Sequence, residues 1–286
     1  MTGAPGVVIS LDGRVALVTG AGAGIGRATA RLLARAGAAI AVNDVDAERA
    51  KTTTDEIGAA GGHAVALPAD VTHAEQVESM VAGCVDQLGG LDIAVNNVGM
   101  LRGLAPRAVV DLDAEYLRTI VDQNLVATLL CSAAEARAMV ASGHGGVIVH
   151  VSSGETMRSA PMLAVYGASK AAINHLTKSM AVELGPAGIR VLAVAPGTTP
   201  TEHIVAAMSQ EHLDAIAAST HQRTCVVRGR STTLSDASSV CGHATAVPSI
   251  SIRSSAMARR ATPSSVPAGA TPAAAVRAPR TPALAK

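Results

Sequence analysis

The chain has 286 residues, which is enough for one α/β domain of ordinary size or two small ones, and its 49% hydrophobic and 16% charged residues allow a large core. A net charge of +1 gives no global indication of nucleic-acid binding, and no run of 18 apolar residues or charged-then-apolar amino terminus indicates a membrane span or a signal peptide. Four cysteines and nine histidines are scattered without metal-ligand spacing, so we expect no metal site and a reducing, cytoplasmic compartment.

The first predicted element is a strand at residues 14–18, which follows a loose leader at residues 1–13. The strand runs into the glycine-rich sequence TGAGAGIG at residues 19–26, and helical periodicity follows from residue 25 to 36. Glycines let a backbone approach a pyrophosphate closely, and a helix amino terminus offers free N–H groups. Strand, glycine turn and helix together predict a phosphate-binding loop, although the spacing is not GxGxxG because position 25 is Ile.

A second predicted strand, residues 39–43, ends at Asp44, which lies 18 residues after Gly26. An acidic side chain at this strand end can accept hydrogen bonds from both adenosine ribose hydroxyls and would repel a 2′-phosphate. Alternatively, Asp44 caps the next helix, but Asp46 is better placed for that role. The sequence therefore favours NAD over NADP.

Strands and helices alternate through the rest of the matching region. The further strands are predicted at residues 64–68, 92–95, 147–151 and 189–195, and the helices at 47–60, 73–88, 114–142, 165–184 and 202–218. This alternation of strands and helices predicts a mostly parallel sheet with helices on both faces. Asn124 lies among apolar neighbours in one helix, and a buried Asn needs hydrogen-bonding partners.

The segment from Val147 to Lys170 holds the strongest candidates for chemistry. Ser152 and Ser153 follow the strand at its carboxyl end, where open α/β sheets bind ligands. Tyr166 and Lys170 are four residues apart on a predicted helix and therefore share a face. An ammonium beside a phenol is expected to lower the tyrosine pKa, which would make Tyr166 a general acid/base near neutral pH.

Taken together, these motifs resemble those of the short-chain dehydrogenase/reductase family over roughly residues 10–205. The matching pieces are TGAGAGIG for TGxxxGxG, Asp70-Val71, NNVG for NNAG, Asn124, Ser153, YGASK for YxxxK, and PG followed by Thr201. They occur in the order and at the spacings of the family. The resemblance implies a doubly wound, Rossmann-like parallel sheet and reversible hydride transfer between a nicotinamide and a carbonyl or secondary alcohol.

The same resemblance implies a role for each matching residue. Tyr166 would be the acid/base, Ser153 would hold the substrate oxygen, Lys170 would bind the nicotinamide ribose, and Asn124 would anchor a water in a proton relay. Ser153 has the family's offset of thirteen from the tyrosine, and Ser152 is expected to point to the opposite face. The residues predicted to bind the cofactor are Gly20, Gly24, Ile25, Gly26, Asp44, Asp70, Val71, Asn97, Gly99, Tyr166, Lys170, Pro196, Gly197 and Thr201.

The chain departs from the family pattern near residue 220. The family's last strand, with its VDGG-like end, has no match, so six strands are expected with the seventh missing. Residues 1–218 carry 14 Lys and Arg against 21 Asp and Glu, whereas residues 219–286 carry 9 against 1. This basic, Ala/Pro/Ser/Thr-rich tail has the composition of a disordered segment. It either binds acidic partners or, as we favour, is translated out of the ancestral frame.

The leading functional hypothesis is an NAD(H)-dependent enzyme that interconverts a small-molecule ketone and alcohol. It assembles as a homo-oligomer through the helices that carry Asn124 and Lys170, and acts without nucleic acid or membrane. One alternative is an NADPH-dependent 3-oxoacyl-thioester reductase, although the glycine loop offers no basic residue to a 2′-phosphate. The other is a cofactor-binding but catalytically impaired protein, because the tail is aberrant.

Overall fold

The computed structural model describes residues 9–101, 103–199, 201–207, 209 and 211. The chain divides into two units, Met1–Ala244 and Thr245–Lys286, and all described residues lie in the first. The predicted basic tail, the missing seventh strand, the end of the last predicted helix and the first eight residues of the leader lie outside the described residues.

A single parallel sheet of six strands organises the described part of the chain. The strands are β1 (Val15–Val18), β2 (Ala39–Val42), β3 (Ala64–Ala66), β4 (Ile93–Asn96), β5 (Gly146–Val151) and β6 (Ile189–Val194). They lie in the order β3-β2-β1-β4-β5-β6, and every pair is parallel. Successive strands are added on one side of β1 as far as β3, and on its other side from β4 to β6. The boundary between β1 and β4 is therefore the topological switch point, where such sheets bind ligands. The predicted fold class is confirmed.

Seven helices accompany the strands in the described residues. They are α1 (Gly24–Arg35), α2 (Ala47–Ala59), α3 (Ala74–Leu88), α4 (Ala114–Val121), α5 (Ala127–Ser142), α6 (Ala164–Leu184) and α7 (Glu202–Ala207). Their starts fall within about a residue of the predicted positions because the apolar periodicity of each segment is strong. The one element predicted differently is the segment 114–142, which is not a single α-helix.

The two faces of the sheet carry separate apolar clusters. Leu17, Ala94 and Ile148 point to one face, where they pack with residues of α3, α5 and α6. Ala16 and Ile40 point to the other face and pack with residues of α1 and α2. Successive residues of a strand alternate between the faces, so each buried strand contributes to both clusters. The sheet is therefore covered on both sides over β1, β2 and β4, whereas Leu192 and Val194 of β6 are 50% and 52% exposed.

A π-helical turn, Asp122–Val126, joins α4 to α5. A turn of this kind inserts an extra residue into the helical ladder and often occurs at functional sites. Here it holds Asn124, whose side chain is completely buried. The sequence predicted a continuous helix at this point, and the wider turn is what directs Asn124 toward the end of β4.

By length and composition, the segment Ala114–Ser142 could cross a membrane, with a mean hydropathy of 1.4 in its most apolar window. In that window 44% of the segment is buried inside the protein. Cys131, Ala134 and Met139 pack into the cluster on the α3–α5–α6 face of the sheet. A core helix that covers a sheet has the same length and hydropathy as a membrane span, and this packing is that of a core helix.

Candidate active site

The carboxyl ends of β1, β2 and β4 frame a cleft of about 360 Å³. Most of the predicted cofactor-binding residues lie along it: Gly20, Gly24, Ile25, Asp44, Asp70, Val71, Asn97, Gly99 and Thr201. The cleft is also lined by residues that the motifs did not single out, among them Asn43, Arg49, Met100 and Gln123. The structure thus brings together strand ends that are up to about 180 residues apart in the sequence.

Close backbone packing fixes the shape of the glycine loop. Gly20 and Gly24 adopt positive φ values of 61° and 53°, which favour glycine. A Cβ at Gly26 would collide with the carbonyl oxygen of Gly20 and would lie 2.6 Å from Nδ2 of Asn97. Asn97 in turn donates from Nδ2 to the carbonyl oxygens of Thr19 (3.0 Å) and Gly20 (3.3 Å). The glycine loop is therefore hydrogen-bonded to the end of β4, and the absence of a side chain at Gly26 allows its close packing.

Asp44 points into the glycine loop from the end of β2. Its carboxylate accepts hydrogen bonds from the backbone amides of Gly22 (3.0 Å) and Asp46 (3.1 Å). The capping of α2 belongs to Asp46, which accepts from the amides of Glu48 and Arg49. The alternative role of Asp44 as the cap of α2 is therefore excluded, and its carboxylate faces the cleft.

Ser153 and Tyr166 meet at the same edge of the sheet. Ser153 follows β5 and accepts a hydrogen bond from the amide of Glu155 (3.2 Å). Its side chain lies close enough to the phenol of Tyr166, in the first turn of α6, to lower the pKa of that phenol. Ser152 instead donates from Oγ to the carbonyl oxygen of Lys170 (3.3 Å). Of the two serines, Ser153 is therefore the one beside the phenol.

Lys170 and Asn124 converge at Gly99, which lines the cleft. Lys170 is 2% exposed and donates from Nζ to the carbonyl oxygen of Val151 (2.8 Å). Asn124 donates from Nδ2 to the carbonyl oxygens of Met100 and Ile120. Its Oδ1 is buried and finds no hydrogen-bonding partner in the described part of the chain. A Cβ at Gly99 would collide with Nζ of Lys170 and would lie 2.8 Å from that Oδ1. Of the four candidate catalytic residues, Lys170 and Asn124 thus contact the wall of the cleft at Gly99.

The sequence profile described as short chain dehydrogenase matches residues 14–212. The chain belongs to the short-chain dehydrogenase family. The chain is 38% identical over 202 residues to the short chain dehydrogenase/reductase astE of Aspergillus oryzae, covering 70% of this chain and 77% of the relative. To the sorbitol dehydrogenase of Cereibacter sphaeroides it is 40% identical over 193 residues, covering 68% and 73%.

Solved structures of the family have the same fold. A 7α-hydroxysteroid dehydrogenase in complex with NADH and 7-oxo glycochenodeoxycholic acid superposes with a TM-score of 0.68 at 34% identity, over 73% of this chain and 80% of that one. The resemblance to the family is therefore confirmed, and so is a general dehydrogenase or reductase activity. The family acts on small molecules with a nicotinamide cofactor.

The pKa of Tyr166 differs from the sequence expectation. Burial raises the pKa of Tyr166 above its usual value near 10, the hydrogen bond with Ser153 acts against that rise, and the Glu155 carboxylate adds to it. The expected lowering by Lys170 is wrong for this structure, because Nζ lies 5.9 Å from the centre of the phenol ring and donates to Val151. Burial also lowers the pKa of Lys170 to about 8. In this short-chain dehydrogenase the tyrosine is thus held as the neutral phenol.

Five predicted cofactor contacts lie outside the lining of the cleft: Tyr166 and Lys170, described above, and Gly26, Pro196 and Gly197. Gly26 packs beneath the loop, and the PG pair adjoins Gly154, whose amide donates to the carbonyl oxygen of Pro196 (2.8 Å). Gly197 lies against the same Gly154. Pro196 and Gly197 thus hold the backbone just after β5, next to Ser153, and they shape the site through backbone contacts.

Sequence reasoning missed two polar features of the site. Asn43 accepts from the Gly20 amide (3.4 Å) and donates to the carbonyl oxygens of Leu67 and Ala69, so it ties three strand ends together. Beneath the site, a buried polar cluster joins β4, β5, α5 and α6. Its members are Asn96, Ser132, Glu135, His150 and Thr177. The sequence does contain a signal for these residues: each is a polar side chain at a position where the helical or strand pattern calls for an apolar one.

Proposed function

We propose that this short-chain dehydrogenase uses NAD(H) to interconvert a ketone and a secondary alcohol, with Tyr166 as the general acid/base. The observation that carries the proposal is the position of Ser153 beside the buried phenol of Tyr166, at the edge of the sheet where Lys170 and Asn124 meet Gly99. A substrate oxygen beside Ser153 would be in reach of the phenol proton. The arrangement supports proton transfer at one oxygen atom, next to a cleft with the shape of a dinucleotide site.

A nicotinamide dinucleotide fits the residues present. The backbone at Gly20 and Gly24 faces the cleft without side chains, as close approach to a pyrophosphate requires. The buried, unpartnered Oδ1 of Asn124 could accept a hydrogen bond from a water in the predicted relay. When bound, the nicotinamide supplies or accepts the hydride.

In the reduction, Tyr166 would give its proton to the carbonyl oxygen as the carbonyl carbon gains the hydride. Ser153 would donate a hydrogen bond to that oxygen and hold it beside the phenol. The resulting phenolate would regain a proton from the side of Lys170 and Asn124. In alcohol oxidation the same groups act in reverse, so Tyr166 must first lose its proton.

The test is a panel of neutral ketones, polyols and hydroxysteroids, each assayed with NADH or NAD and with NADPH or NADP. Sorbitol and 7-oxo bile acids belong in it because relatives are described with these compounds. We expect turnover with the non-phosphorylated cofactor. NADH binding without turnover on any member would favour the impaired-enzyme alternative, and preference for NADPH with a 3-oxoacyl thioester would favour the other alternative.

Replacing Asp44 by Asn is expected to weaken discrimination against NADPH. Asn keeps an acceptor for the Gly22 amide, but it removes the negative charge that would repel a 2′-phosphate. Arg49, which lines the same part of the cleft, then remains as a nearby cation. We expect the ratio of kcat/KM for NADPH over NADH to rise roughly tenfold or more. A wild-type enzyme that already prefers NADPH, or an unchanged ratio in the variant, would contradict the assignment of Asp44.

The proposal includes a homo-oligomer formed through α5 and α6. An apolar groove of about 520 Å³ runs between these helices, with Leu129, Val140, Leu176 and Met180 among its lining residues. Leu129 and Val140 are 41% and 50% exposed in the single chain. Exposed apolar patches of this kind mark contact surfaces.

Placing a charge in the α5–α6 groove is therefore expected to dissociate the oligomer. Val140→Glu should yield monomers, because a carboxylate would be buried without a partner in the contact. Val110→Glu is the matched control, since Val110 is 90% exposed on a short turn remote from α5 in the sequence. Sedimentation velocity or light scattering measures the result. A wild-type monomer, or a Val140→Glu oligomer of unchanged size, would contradict this interface.

We also propose a cytoplasmic location. In the described residues, Cys84 and Cys131 are free, buried thiols. Unpaired cysteines are compatible with a reducing compartment. Fractionation of the native host, followed by immunodetection, tests this.

A further inference from the structure

The buried polar cluster beneath the site contains a carboxyl group that the proposed chemistry does not use. Glu135 of α5 is completely buried, and its Oε2 accepts a hydrogen bond from Nδ2 of Asn96 at the end of β4 (2.8 Å). Its other oxygen, Oε1, has no hydrogen-bonding partner among the residues that the structure describes, and neither has Oδ1 of Asn96. Two buried acceptors in paired side chains are costly unless something is donated to them.

The protons of the neighbouring groups are already committed. Nδ2 of Asn96 has two N–H groups, and it directs the second to Oγ of Ser132 (3.3 Å). The Ser132 hydroxyl is shared between the carbonyl oxygen of Thr128 (2.7 Å) and Nε2 of His150 (2.9 Å). Thr177 likewise donates to its own helix, and in either tautomer the two ring nitrogens of His150 pair with the Thr177 and Ser132 hydroxyls. The cluster therefore has no donor left for Oε1 of Glu135 or Oδ1 of Asn96.

A single added proton completes the hydrogen bonding. A protonated carboxyl group donates through its O–H and accepts through its carbonyl oxygen, and a primary amide offers the complementary pair. We propose that Glu135 is held as the neutral carboxylic acid, that its Oε1–H donates to Oδ1 of Asn96, and that this acid–amide pair positions the cofactor loop. Glu135 is thus a positioning residue that acts through Asn96.

The surroundings favour the neutral acid. Burial raises the pKa of Glu135 to about 7, against the lowering effect of the hydrogen bond from Asn96. The titratable groups that face it are Cys84 of α3 and Cys131 of α5, whose pKa values burial raises further. Across Ser132 lies His150 of β5, whose pKa is lowered to about 4 by burial and by Lys170 of α6, so the imidazole is neutral. The two thiols and the neutral imidazole supply no positive charge to stabilise a carboxylate at neutral pH.

The acid–amide pair is connected to the cofactor cleft by one peptide unit. Asn96 directly precedes Asn97, which fastens the glycine loop through Thr19 and Gly20. An ionised Glu135 would lose the bond to Oδ1 of Asn96 and would place a charge in an apolar layer, so the end of β4 would have to shift. NADH binding should therefore weaken as Glu135 loses its proton. This step rests on the proposed function, whereas the protonation of Glu135 does not.

Glu135→Gln is the decisive variant because Gln reproduces the neutral acid at every pH. Its carbonyl oxygen can accept from Nδ2 of Asn96 and its NH₂ can donate to Oδ1. Glu75→Gln is the matched control, since Glu75 is exposed in the first turn of α3. The infrared carbonyl stretch of a protonated carboxylic acid should be present at pH 6 in the wild type and in the control, and lost in Glu135→Gln. The same band in all three proteins, or in none, overturns the proposal.

Equilibrium unfolding gives a second readout without cofactor. A carboxyl group that is protonated in the folded state and ionised in the unfolded state destabilises the fold as pH rises between its two pKa values. The wild-type folding constant should fall, relative to that of Glu135→Gln, by up to about tenfold per pH unit as pH rises toward about 7. Parallel pH profiles of the two proteins overturn the proposal.

NADH fluorescence titrations test the positioning role. From pH 6 to pH 8.5 the wild-type Kd should rise about fivefold or more relative to that of Glu135→Gln, the low end of ordinary coupling between linked sites. Titration of Lys170 occurs in both proteins and cancels in this comparison. Equal pH profiles for Kd would overturn the positioning role. Absence of NADH binding in every protein would instead refute the proposed function, and the infrared and unfolding results would still decide the state of Glu135.

Discussion

Replacing Tyr166 by Phe is expected to lower kcat/KM by about 10²–10⁴-fold, the usual contribution of a positioned general acid/base. The change removes one oxygen atom and its proton, and it leaves the ring that packs at the start of α6. NADH affinity should change less than about twofold, because the change removes one hydroxyl group and leaves the glycine loop, Asp44 and Lys170 in place. Steady-state kinetics and NADH fluorescence titration separate the two effects.

The chain supplies its own control, since its only other tyrosine is Tyr116 in α4. Tyr116 is 3% exposed, and its ring contacts the Arg107 guanidinium at 4.7 Å. Tyr116→Phe makes the same chemical change away from the candidate site, so it should keep wild-type turnover. Near-normal activity in Tyr166→Phe, or equal losses in both variants, would refute the assignment of Tyr166 as the acid.

The raised pKa of Tyr166 gives this prediction a pH dependence. A phenol whose pKa lies above its usual value stays protonated at neutral pH, which is the form that donates in carbonyl reduction. Alcohol oxidation needs the phenolate, so its rate should climb with pH through the alkaline range, while reduction should not climb. Rate–pH profiles in both directions with the same substrate pair measure this contrast.

The sequence predicted the sheet and the cleft because their signals are local. Each strand is a short apolar run, each helix has its own periodicity, and parallel strands of one sheet must end at the same edge. Polar residues at those ends therefore had to converge, and Asp44, Asn97 and Gly99 do line the cleft. The motif order of the family added the pairing of Ser153 with Tyr166.

The features that the sequence did not predict depend on distant packing. The π turn at Asn124 has no composition of its own, so the segment 114–142 reads as a continuous helix. The pKa of Tyr166 depends on how deeply α6 buries the phenol, and spacing to Lys170 does not reveal that depth. Glu135 interrupts an apolar helical pattern, but its partner Asn96 is 39 residues away. A local pattern can show that such a polar residue is unusual, but it does not indicate which distant residue forms its hydrogen bond.

Replacing Gly26 by Ala is expected to cost about 1–3 kcal/mol of stability and to weaken NADH binding roughly ten- to hundredfold. The added Cβ would collide with the carbonyl oxygen of Gly20 and lie 2.6 Å from Nδ2 of Asn97. Neither neighbour can move freely, because Gly20 holds a positive φ of 61° and Asn97 is bonded to the same turn. The loop must open, and its amides then lose the geometry that binds a pyrophosphate.

Gly58→Ala is the matched control for this substitution. Gly58 is exposed in α2, and a Cβ there would meet no atom within 4 Å. The same methyl group should stabilise the protein by about 0.5–1 kcal/mol, because alanine loses less backbone freedom in a helix. The thermal unfolding temperatures of the two variants should therefore move in opposite directions, and only Gly26→Ala should lose NADH affinity. If Gly26→Ala bound NADH as tightly as Gly58→Ala, close approach of the backbone at Gly20 and Gly26 would not be what shapes the cofactor site.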